Sequence, residues 1–489
     1  MLLGELFTLN GLVTPDDLEA ALEEQRREGG LLGDILVAAG KLSREAVDEV
    51  VAVIPAAPFS LEDTGLSLPD LLNLLVKVLH SGSFDTAAKA AEALKLPTRL
   101  VQQLVDEAKS RKLVEILAGA TIVSRPRVTL TAAGREWAQQ AFDQNAYVGP
   151  APVPLADYVA RIKRQAIGDE RVPPEAVARA LAGLVTSDDL VSQVGPAVNS
   201  GRPILLYGPP GNGKTSVAER IGSVFGSMIY VPYCFEVGGQ IVKVFDPDIH
   251  RGAASSPAPA ADAPQGGSIR ATGIDRRWVP CRRPFVVTGG ELTLEMLDLS
   301  FNSLAKFYEA PLHVKALNGT FLIDDFGRQV VSPEALLNRW IVPLESRKDF
   351  MKLHTGKSFS LPFDALVIFS TNMPPGQLMD PAFLRRIPYK IEVTGPSPSE
   401  FKEIFRAVAR ARGVAAPDEA IAFVVSELAE RHGLPLAAYQ PGFILGQVLA
   451  ACKYRGVPPA CHRDMLAFAI GNLHPKDAPG GYGMAARKD

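Results

Sequence analysis

The run Gly208-Pro-Pro-Gly-Asn-Gly-Lys-Thr215 constrains this chain more than any other segment. Its three glycines allow the backbone to curl so that several N–H groups point at one anion. Lys214 supplies a positive charge for the β- and γ-phosphates of a nucleotide, and the Thr215 hydroxyl suits Mg²⁺. The predicted phosphate-binding residues are Gly208, Pro209, Pro210, Gly211, Asn212, Gly213, Lys214, Thr215 and Ser216.

The residues on either side of this loop fit the same interpretation. Residues 203–207 are typical of a short buried strand, and residues 216–224 predict a helix whose N-terminus faces the phosphates. The alternative is a glycine-rich turn that matches the pattern by chance. The order strand, loop, helix favours nucleotide binding over that alternative.

Two carboxylates, Asp324 and Asp325, follow a second apolar run at residues 320–323. At the end of a strand, Asp324 is placed to hold Mg²⁺ or its water shell, together with Thr215. Asp325 is then placed to polarise the water that attacks the γ-phosphate. The alternative is a buried strand followed by an acidic turn without catalytic work.

Polar residues also follow the next apolar run, at residues 365–371. Asn372 is predicted to hold the attacking water in line, although an Asn that starts a loop before Met-Pro-Pro has the same pattern. Arg385 and Arg386 come after a short helical segment. Their planar side chains suit an arginine finger that reaches the nucleotide of a neighbouring subunit, and a solvated pair at a rim is the alternative.

In this order, Gly208–Thr215, Asp324-Asp325, Asn372 and Arg385-Arg386 resemble the Walker A, Walker B, sensor 1 and arginine-finger elements of AAA+ ATPases. The resemblance covers about residues 60–475 and extends to a bacterial group of uncharacterised AAA family ATPases. The stretches similar to that group are residues 289–293, 307–311, 323–329 and 337–340. The resemblance implies ATP and Mg²⁺ as ligands, ATP hydrolysis, and a ring, most often a hexamer, with its sites between subunits.

Two positions depart from the family pattern. AAA+ proteins usually carry Glu where this chain has Asp325, and one methylene less brings the water closer or slows turnover. The helical lid of similar proteins usually offers a sensor 2 arginine, at the place that Gly442 takes here. Coupling of the lid to hydrolysis would then depend on Arg455 or another base.

Composition excludes several classes of protein. The chain has 489 residues, 47% of them hydrophobic and 21% charged, which is ordinary for a globular protein of about three domains. A net charge of −3 argues against a general nucleic-acid or membrane-surface role. Four scattered cysteines favour a reducing compartment, and neither a signal peptide nor a membrane span is predicted, so we expect a cytoplasmic protein.

Residues 1–53 contain a repeat. Leu3-Gly4, Gly11, Leu18 and Leu22 recur 29 positions later as Leu32-Gly33, Gly40, Val47 and Val51. The spacing resembles the N-terminal domain of type II secretion and type IV pilus assembly ATPases, some of which bind cyclic di-GMP through an arginine before each Leu-Gly. Here Leu2 and Leu31 occupy those positions, and residues 1–53 contain 11 acidic and 4 basic residues. This favours a module for an unknown protein partner over a second-messenger site.

Residues 69–143 resemble a winged helix. The helix-turn-helix is predicted at 85–109 and the wing at 113–117 and 127–131. Such domains often bind DNA through the second helix, but 10 basic and 8 acidic residues are far from a DNA-binding surface. A protein contact is favoured over DNA for this segment.

The predicted fold class is multidomain α/β: a small helical repeat domain, a winged helix, a P-loop AAA+ core with a parallel sheet, and a C-terminal helical lid. Residues 253–267 and the tail are predicted to be disordered. The predicted ranges are 1–55 for the repeat domain, 69–146 for the winged helix, 147–165 for a stiff connector, 166–395 for the core, 396–475 for the lid and 476–489 for the tail.

Other clusters have an ordinary interpretation beside a functional one. Asp246, Asp248 and His250 are predicted to form a metal site or a solvated turn. Arg276, Arg277, Arg282 and Arg283 around Trp278 are predicted to line a pore, to contact an anionic partner, or to form a solvated face. Arg339 and Arg347 face a neighbouring subunit or form intramolecular ion pairs. Three functions stay open: a machine that remodels or assembles a protein partner, a nucleotide-dependent switch with weak hydrolysis, and a DNA-associated ATPase.

Overall fold

The computed structural model describes residues 4, 7–8, 12–82, 84–117, 126–185, 187–252 and 273–473. The chain forms two compact units. The first comprises Met1–Arg171, Phe225–Leu322 and Gln329–Val367, and the second comprises Val172–Val224, Ile323–Arg328 and Ile368–Asp489. Leu2, residues 253–267 and the tail after Leu473, for which the sequence makes predictions, lie outside the described residues.

Three helices follow one another near the start of the first unit. Thr14 begins the first of them with a capping box, in which its side chain and that of Asp17 each bind the other's backbone N–H. Gly4 and Gly33 lie against the side chains of Leu18 and Val47 respectively, so these two glycines of the repeat make equivalent contacts. The helices are Pro15–Glu28, Leu32–Ala38 and Arg44–Val53.

The next segment contains helices and a two-stranded antiparallel sheet at the positions that the sequence predicts. Val114 pairs with Leu130 and Leu117 with Arg127. One apolar core, including Leu72, joins the helices and the sheet. The assignment of this segment as a winged helix stays a prediction. Its elements are the 3₁₀ turn Glu62–Thr64, the helices Leu68–His80, Ala87–Leu94, Thr98–Ser110 and Ala132–Gln144, and the strands Val114–Leu117 and Arg127–Leu130.

Residues 147–165 differ from the predicted stiff connector. Tyr147 and Val153 are buried, and Val153–Pro154 pairs in parallel with the strand Cys234–Val237. The helix Leu155–Arg164 then buries Tyr158 and Ile162. Apolar side chains at helical spacing turn this segment into packed structure despite its prolines.

The rest of the first unit is rich in strands. A five-stranded sheet has the order Ser300–Asn302, Phe307–Glu309, Gln240–Lys243, Cys234–Val237 and Val153–Pro154. Two antiparallel pairs of strands accompany it, Met228–Pro232 with Trp278–Arg282 and Lys348–Lys352 with Ser358–Pro362. Further elements are the turns Ile167–Asp169 and Glu295–Leu297, the strands Phe285–Thr288 and Thr320–Ile323, and the helices Leu312–Lys315 and Pro333–Ser346.

Two of the four arginines around Trp278 fit none of the interpretations of that cluster. Arg277 and Arg283 are buried, with 3% and 5% of their side chains exposed. Arg277 pairs with Asp275, and Arg283 pairs with Glu170 at 2.8 Å. Both guanidinium groups also donate to backbone carbonyl oxygens, which offsets part of the cost of burying a cation. These two residues hold the first unit together and line no solvated face.

The second unit contains a parallel sheet. Ile204–Tyr207 lies between Leu366–Thr371 and Tyr389–Glu392, and it pairs in parallel with both. Parallel strands need crossover helices, and the helix Lys214–Gly222 begins within the phosphate-loop sequence, at its last residues. Other helices here are Pro174–Leu181, Asp188–Ser200, Pro375–Leu378 and Pro381–Leu384.

The C-terminal helices of the second unit share a core. Ser397 starts the first of them with a capping box to Glu400, and Phe401 and Phe405 of this helix pack against Ile444 and Val448. The predicted role of these helices as a lid stays a prediction. They are Pro398–Ala411, Asp418–Ser426, the π turn Glu427–Arg431, Tyr439–Arg455 and Arg463–Gly471.

Within the part of the chain that the structure describes, no helix has the length and apolar character needed to cross a bilayer.

Candidate nucleotide site

The parallel sheet of the second unit places three chain segments at one edge. Tyr207 is aligned with Thr371 on one side and Glu392 on the other. The residues that follow these strands therefore leave the sheet at the same edge, as in other parallel sheets. Gly208 and Asn372, 164 positions apart in the sequence, come together for this reason.

The glycines of the loop have the backbone geometry that the sequence predicts. Gly208, Gly211 and Gly213 have φ values of 139°, 79° and 81°. A Cβ on Gly208 would lie 2.4 Å from the Val393 carbonyl oxygen, so no larger residue fits there. The helix starts at Lys214, and its first N–H groups have no partner within the helix, which leaves them for an anion.

Lys214 is held at the centre of the site. Its Nζ donates to the carbonyl oxygens of Gly208 and Pro209, both at 2.9 Å, and to Asn372 Oδ1 at 2.6 Å. Burial lowers the pKa of this ammonium group, while the carboxylates of Asp324 and Asp325 act in the opposite direction. The arrangement keeps a cation beside the loop.

Thr215 and Asp324 meet at 2.7 Å, where the hydroxyl donates to Oδ2 of the carboxylate. Both are hard oxygen donors, and Mg²⁺ binds through one or two such side chains together with phosphate oxygens and waters. The donor set therefore fits Mg²⁺, and these two residues would hold it.

Asp325 has an unusual backbone. Its φ is 47°, in the left-handed region where Asp and Asn are enriched among residues other than glycine. Its N–H donates to Asp324 Oδ1 at 3.0 Å, and its own Oδ1 accepts from Asn372 Nδ2 at 3.1 Å. This conformation favours Asp over Glu at position 325, and no sequence pattern indicates it.

The two arginines predicted as fingers follow the helix Pro381–Leu384. Asp380 caps this helix through a 2.6 Å hydrogen bond from the Phe383 N–H. The Arg385 side chain is exposed, and that of Arg386 is partly exposed. An action of Arg385 and Arg386 on the nucleotide of another subunit stays a prediction.

A different arginine, Arg412, lies beside Gly442, the residue that takes the place of a sensor 2 arginine in the sequence. Arg412, at the end of the helix Pro398–Ala411, donates to the Gly442 carbonyl oxygen at 2.7 Å. Gly442 and Gly446 lie one turn apart and leave space for this guanidinium group. Arg455, which the sequence offers as a substitute, instead pairs with Asp464 at the far end of its helix. No sequence motif indicates this role of Arg412.

The other candidate clusters are structural. His250 is buried, accepts from the Asp246 N–H at Nδ1, and lies 2.9 Å from the Lys315 carbonyl oxygen at Nε2. Both ring nitrogens are thus used, which leaves none for a metal. Arg339 pairs with Asp349 at 2.8 Å, so the intramolecular ion pair is the observed alternative.

Comparisons with known proteins match parts of this architecture. The family described as Domain of unknown function (DUF8689) matches residues 397–472, which contain the C-terminal helices. The Thermotoga maritima RuvB Holliday junction branch migration motor is similar at 14% identity over 59% of this chain and 70% of that chain, with a TM-score of 0.33. NtrX from Brucella abortus is similar at 16% identity over 71% and 69%, with a TM-score of 0.37. Likeness at this level assigns no activity, and the chemistry has to come from the site itself.

Proposed function

We propose that this chain binds ATP with Mg²⁺ at residues 208–216 and hydrolyses it. The observation that carries the proposal is the convergence of Lys214, Asn372 and Asp325 through hydrogen bonds of 2.6 and 3.1 Å. A turn that matches the phosphate-loop pattern by chance would have no reason to meet an amide and a carboxylate at this distance. The Thr215–Asp324 pair adds the oxygen donors for the metal ion.

The residues divide the work of phosphoryl transfer. Loop N–H groups and Lys214 bind the phosphate oxygens and stabilise the charge that develops on them. Asp325 accepts a proton from the attacking water while the water oxygen bonds to the γ-phosphorus. The bond between the γ-phosphorus and the β–γ bridging oxygen breaks, and ADP and phosphate leave. Asn372 orients the Asp325 carboxylate and the water. Bound Mg²⁺ would neutralise charge on the phosphates.

The resemblance to AAA+ proteins extends the proposal to an oligomer. Arg385 is exposed and lies in the segment that joins the strands Leu366–Thr371 and Tyr389–Glu392, four positions before Tyr389. We propose that Arg385 and Arg386 reach the site of a second copy in a ring. Residues 1–146 would then present a surface for a protein partner that the cycle remodels or assembles.

Steady-state hydrolysis measured against protein concentration tests this function. Wild type should release phosphate from MgATP with a specific activity that rises with concentration as subunits assemble. Lys214→Ala should lose binding, and Asp325→Asn should bind MgATP without hydrolysing it. Turnover no faster in wild type than in Lys214→Ala, with ATP still bound by wild type, would refute hydrolysis.

A nucleotide-dependent switch with weak hydrolysis is the second candidate, and one observation favours it. Asp325 is one methylene shorter than Glu and its backbone is fixed in the left-handed region, which limits how far the carboxylate reaches. Enzymes typically have kcat values of about 1 s⁻¹ or more. If this chain bound MgATP but hydrolysed it far more slowly than that, the result would favour the switch.

A further inference from the structure

A short segment, which we call the elbow, contacts the phosphate loop from the side of the C-terminal helices. The elbow comprises residues 435–440 and leads into the helix Tyr439–Arg455. The Tyr439 N–H donates to the Gly211 carbonyl oxygen at 2.9 Å, and the Ala438 N–H donates to Asn212 Oδ1 at 3.2 Å. Two successive N–H groups of the elbow thus bind two successive residues of the loop.

The first of these bonds fixes the direction of a loop N–H group. In a trans peptide the C=O and N–H bonds point in opposite directions across one plane. The peptide between Gly211 and Asn212 turns its oxygen toward Tyr439, so its N–H, which belongs to Asn212, points away from the elbow. Anion-binding loops point successive backbone N–H groups at the ligand, and this orientation leaves the Asn212 N–H able to act as one of them.

The second bond uses the side chain of Asn212, which is 9% exposed. Asn at this position offers an oxygen that reaches the Ala438 N–H, which Gly, Ala or Val cannot offer. The Tyr439 ring also covers Gly211, since a Cβ there would lie 2.3 Å from the ring. Gly211 is therefore required both by its φ of 79° and by the elbow.

Gln440 holds the elbow in shape from within. Its side chain is buried, donates to the Pro435 carbonyl oxygen at 3.0 Å, and accepts from the Ala437 N–H at 3.0 Å. These bonds close the turn whose next N–H groups, at Ala438 and Tyr439, bind the loop. Gln440 itself has no described contact with the loop.

We infer that the elbow sets the anion-binding geometry of the phosphate loop, with Asn212 and Gln440 as positioning residues for the nucleotide. This inference depends on the proposed binding of ATP at the loop. It adds that affinity is set in part by residues outside the loop motif. Removing either side chain lets the Gly211–Asn212 peptide rotate, so the bound phosphates lose a preorganised donor.

Calorimetric titration of the full-length protein with MgADP, together with thermal melting and steady-state kinetics with MgATP, tests the inference. Asn212→Ala and Gln440→Ala should each weaken MgADP binding roughly threefold to tenfold, the loss expected for one hydrogen bond. KM for MgATP should rise by the same factor, with kcat changed much less. The double variant should lose less than the product of the single losses, because both act through one elbow.

Gln447→Ala is the matched control. Gln447 lies on the same helix, about two turns beyond Gln440, and its side chain contacts Asn472. MgADP affinity should be unchanged in this variant. Asn212→Ala provides a second route to the answer if Gln440→Ala fails to fold, because it removes the loop side of the contact and leaves the elbow intact.

Each outcome decides one claim. A lower melting temperature in Gln440→Ala with unchanged MgADP affinity in both variants would overturn the positioning role and leave nucleotide binding in place. Equal losses in Gln447→Ala and Gln440→Ala would overturn it as well, since the effect would then be general to the helix. Absence of MgADP binding in wild type would remove the proposed function and, with it, this inference.

Discussion

Lys214 and Asn372 are joined by a 2.6 Å hydrogen bond from Nζ to Oδ1, although they belong to segments far apart in the sequence. The other end of the same amide donates to Asp325. Asn372 is thereby fixed in orientation, with its oxygen toward the cation and its nitrogen toward the carboxylate. One side chain connects Lys214, which we propose binds phosphate, to Asp325, which we propose accepts the proton.

Asn372→Ala should separate binding from turnover. We expect kcat for MgATP to fall about a hundredfold, as when one positioned polar donor is removed from an active site, and MgADP affinity to change by less than about threefold. Phosphate release and calorimetry measure the two effects. Asn472→Ala, an exposed Asn on the surface of the second unit, is the control. An equal loss of affinity and turnover would assign Asn372 to binding instead.

Asp325 should tolerate Asn better than Glu. Asn keeps the left-handed preference of the backbone at φ 47°, whereas Glu has a strain of about 1 kcal/mol or more in that region. We therefore expect Asp325→Asn to melt at the wild-type temperature without hydrolysis, and Asp325→Glu to melt lower. Melting curves and phosphate release check this pair. A higher melting temperature for the Glu variant would show that the backbone does not select Asp.

Much of the site could be predicted from local patterns. The glycine positions of the loop, the apolar strand before it and the helix after it are all encoded within residues 203–224. The strands before Asp324 and Asn372 follow from apolar runs with polar ends. Contacts between residues far apart in the sequence could not be predicted from such local patterns. The contact of the Asn212 side chain with Ala438, and of Arg412 with Gly442, depends on how separate helices pack.

The connector shows where local composition misleads. Prolines in residues 148–154 predict a stiff, extended connector, but Val153 pairs with a strand 82 residues later and is buried. A sheet partner so distant in sequence supplies the missing burial, and no window around Val153 contains that information. The same holds for Arg283, whose partner Glu170 lies far upstream.

Lys77 should make stability depend on pH. Its ammonium group is buried in the first unit and donates to Asn145 Oδ1 at 2.8 Å, and burial lowers its pKa from 10.5 to about 8. Between these values the unfolded chain binds a proton that the folded chain does not, so stability rises with pH. Well below pH 8 both states bind the proton, so Lys77 no longer makes stability depend on pH.

The comparison of wild type with Lys77→Met isolates this effect. The free energy of unfolding of wild type relative to the variant should shift in favour of wild type by on the order of 2 kcal/mol from about pH 7 to pH 10. Thermal or urea melts at several pH values measure the difference, and other titrating groups cancel in it. A difference that is constant over this range would show that the Lys77 pKa is not lowered.

Two glycines of the second unit should respond to alanine in opposite ways. Gly208→Ala places a Cβ 2.4 Å from the Val393 carbonyl oxygen at a φ of 139°, so it should lower the melting temperature and weaken MgADP binding. Gly442→Ala lies within a helix, where the nearest atom is Arg412 Nη2 at 3.7 Å. It should stabilise the protein by up to about 1 kcal/mol, since alanine favours the helix. Melting temperatures of the two variants check the contrast, and a destabilised Gly442→Ala would mean that the Arg412 side chain cannot adjust to one added methyl group.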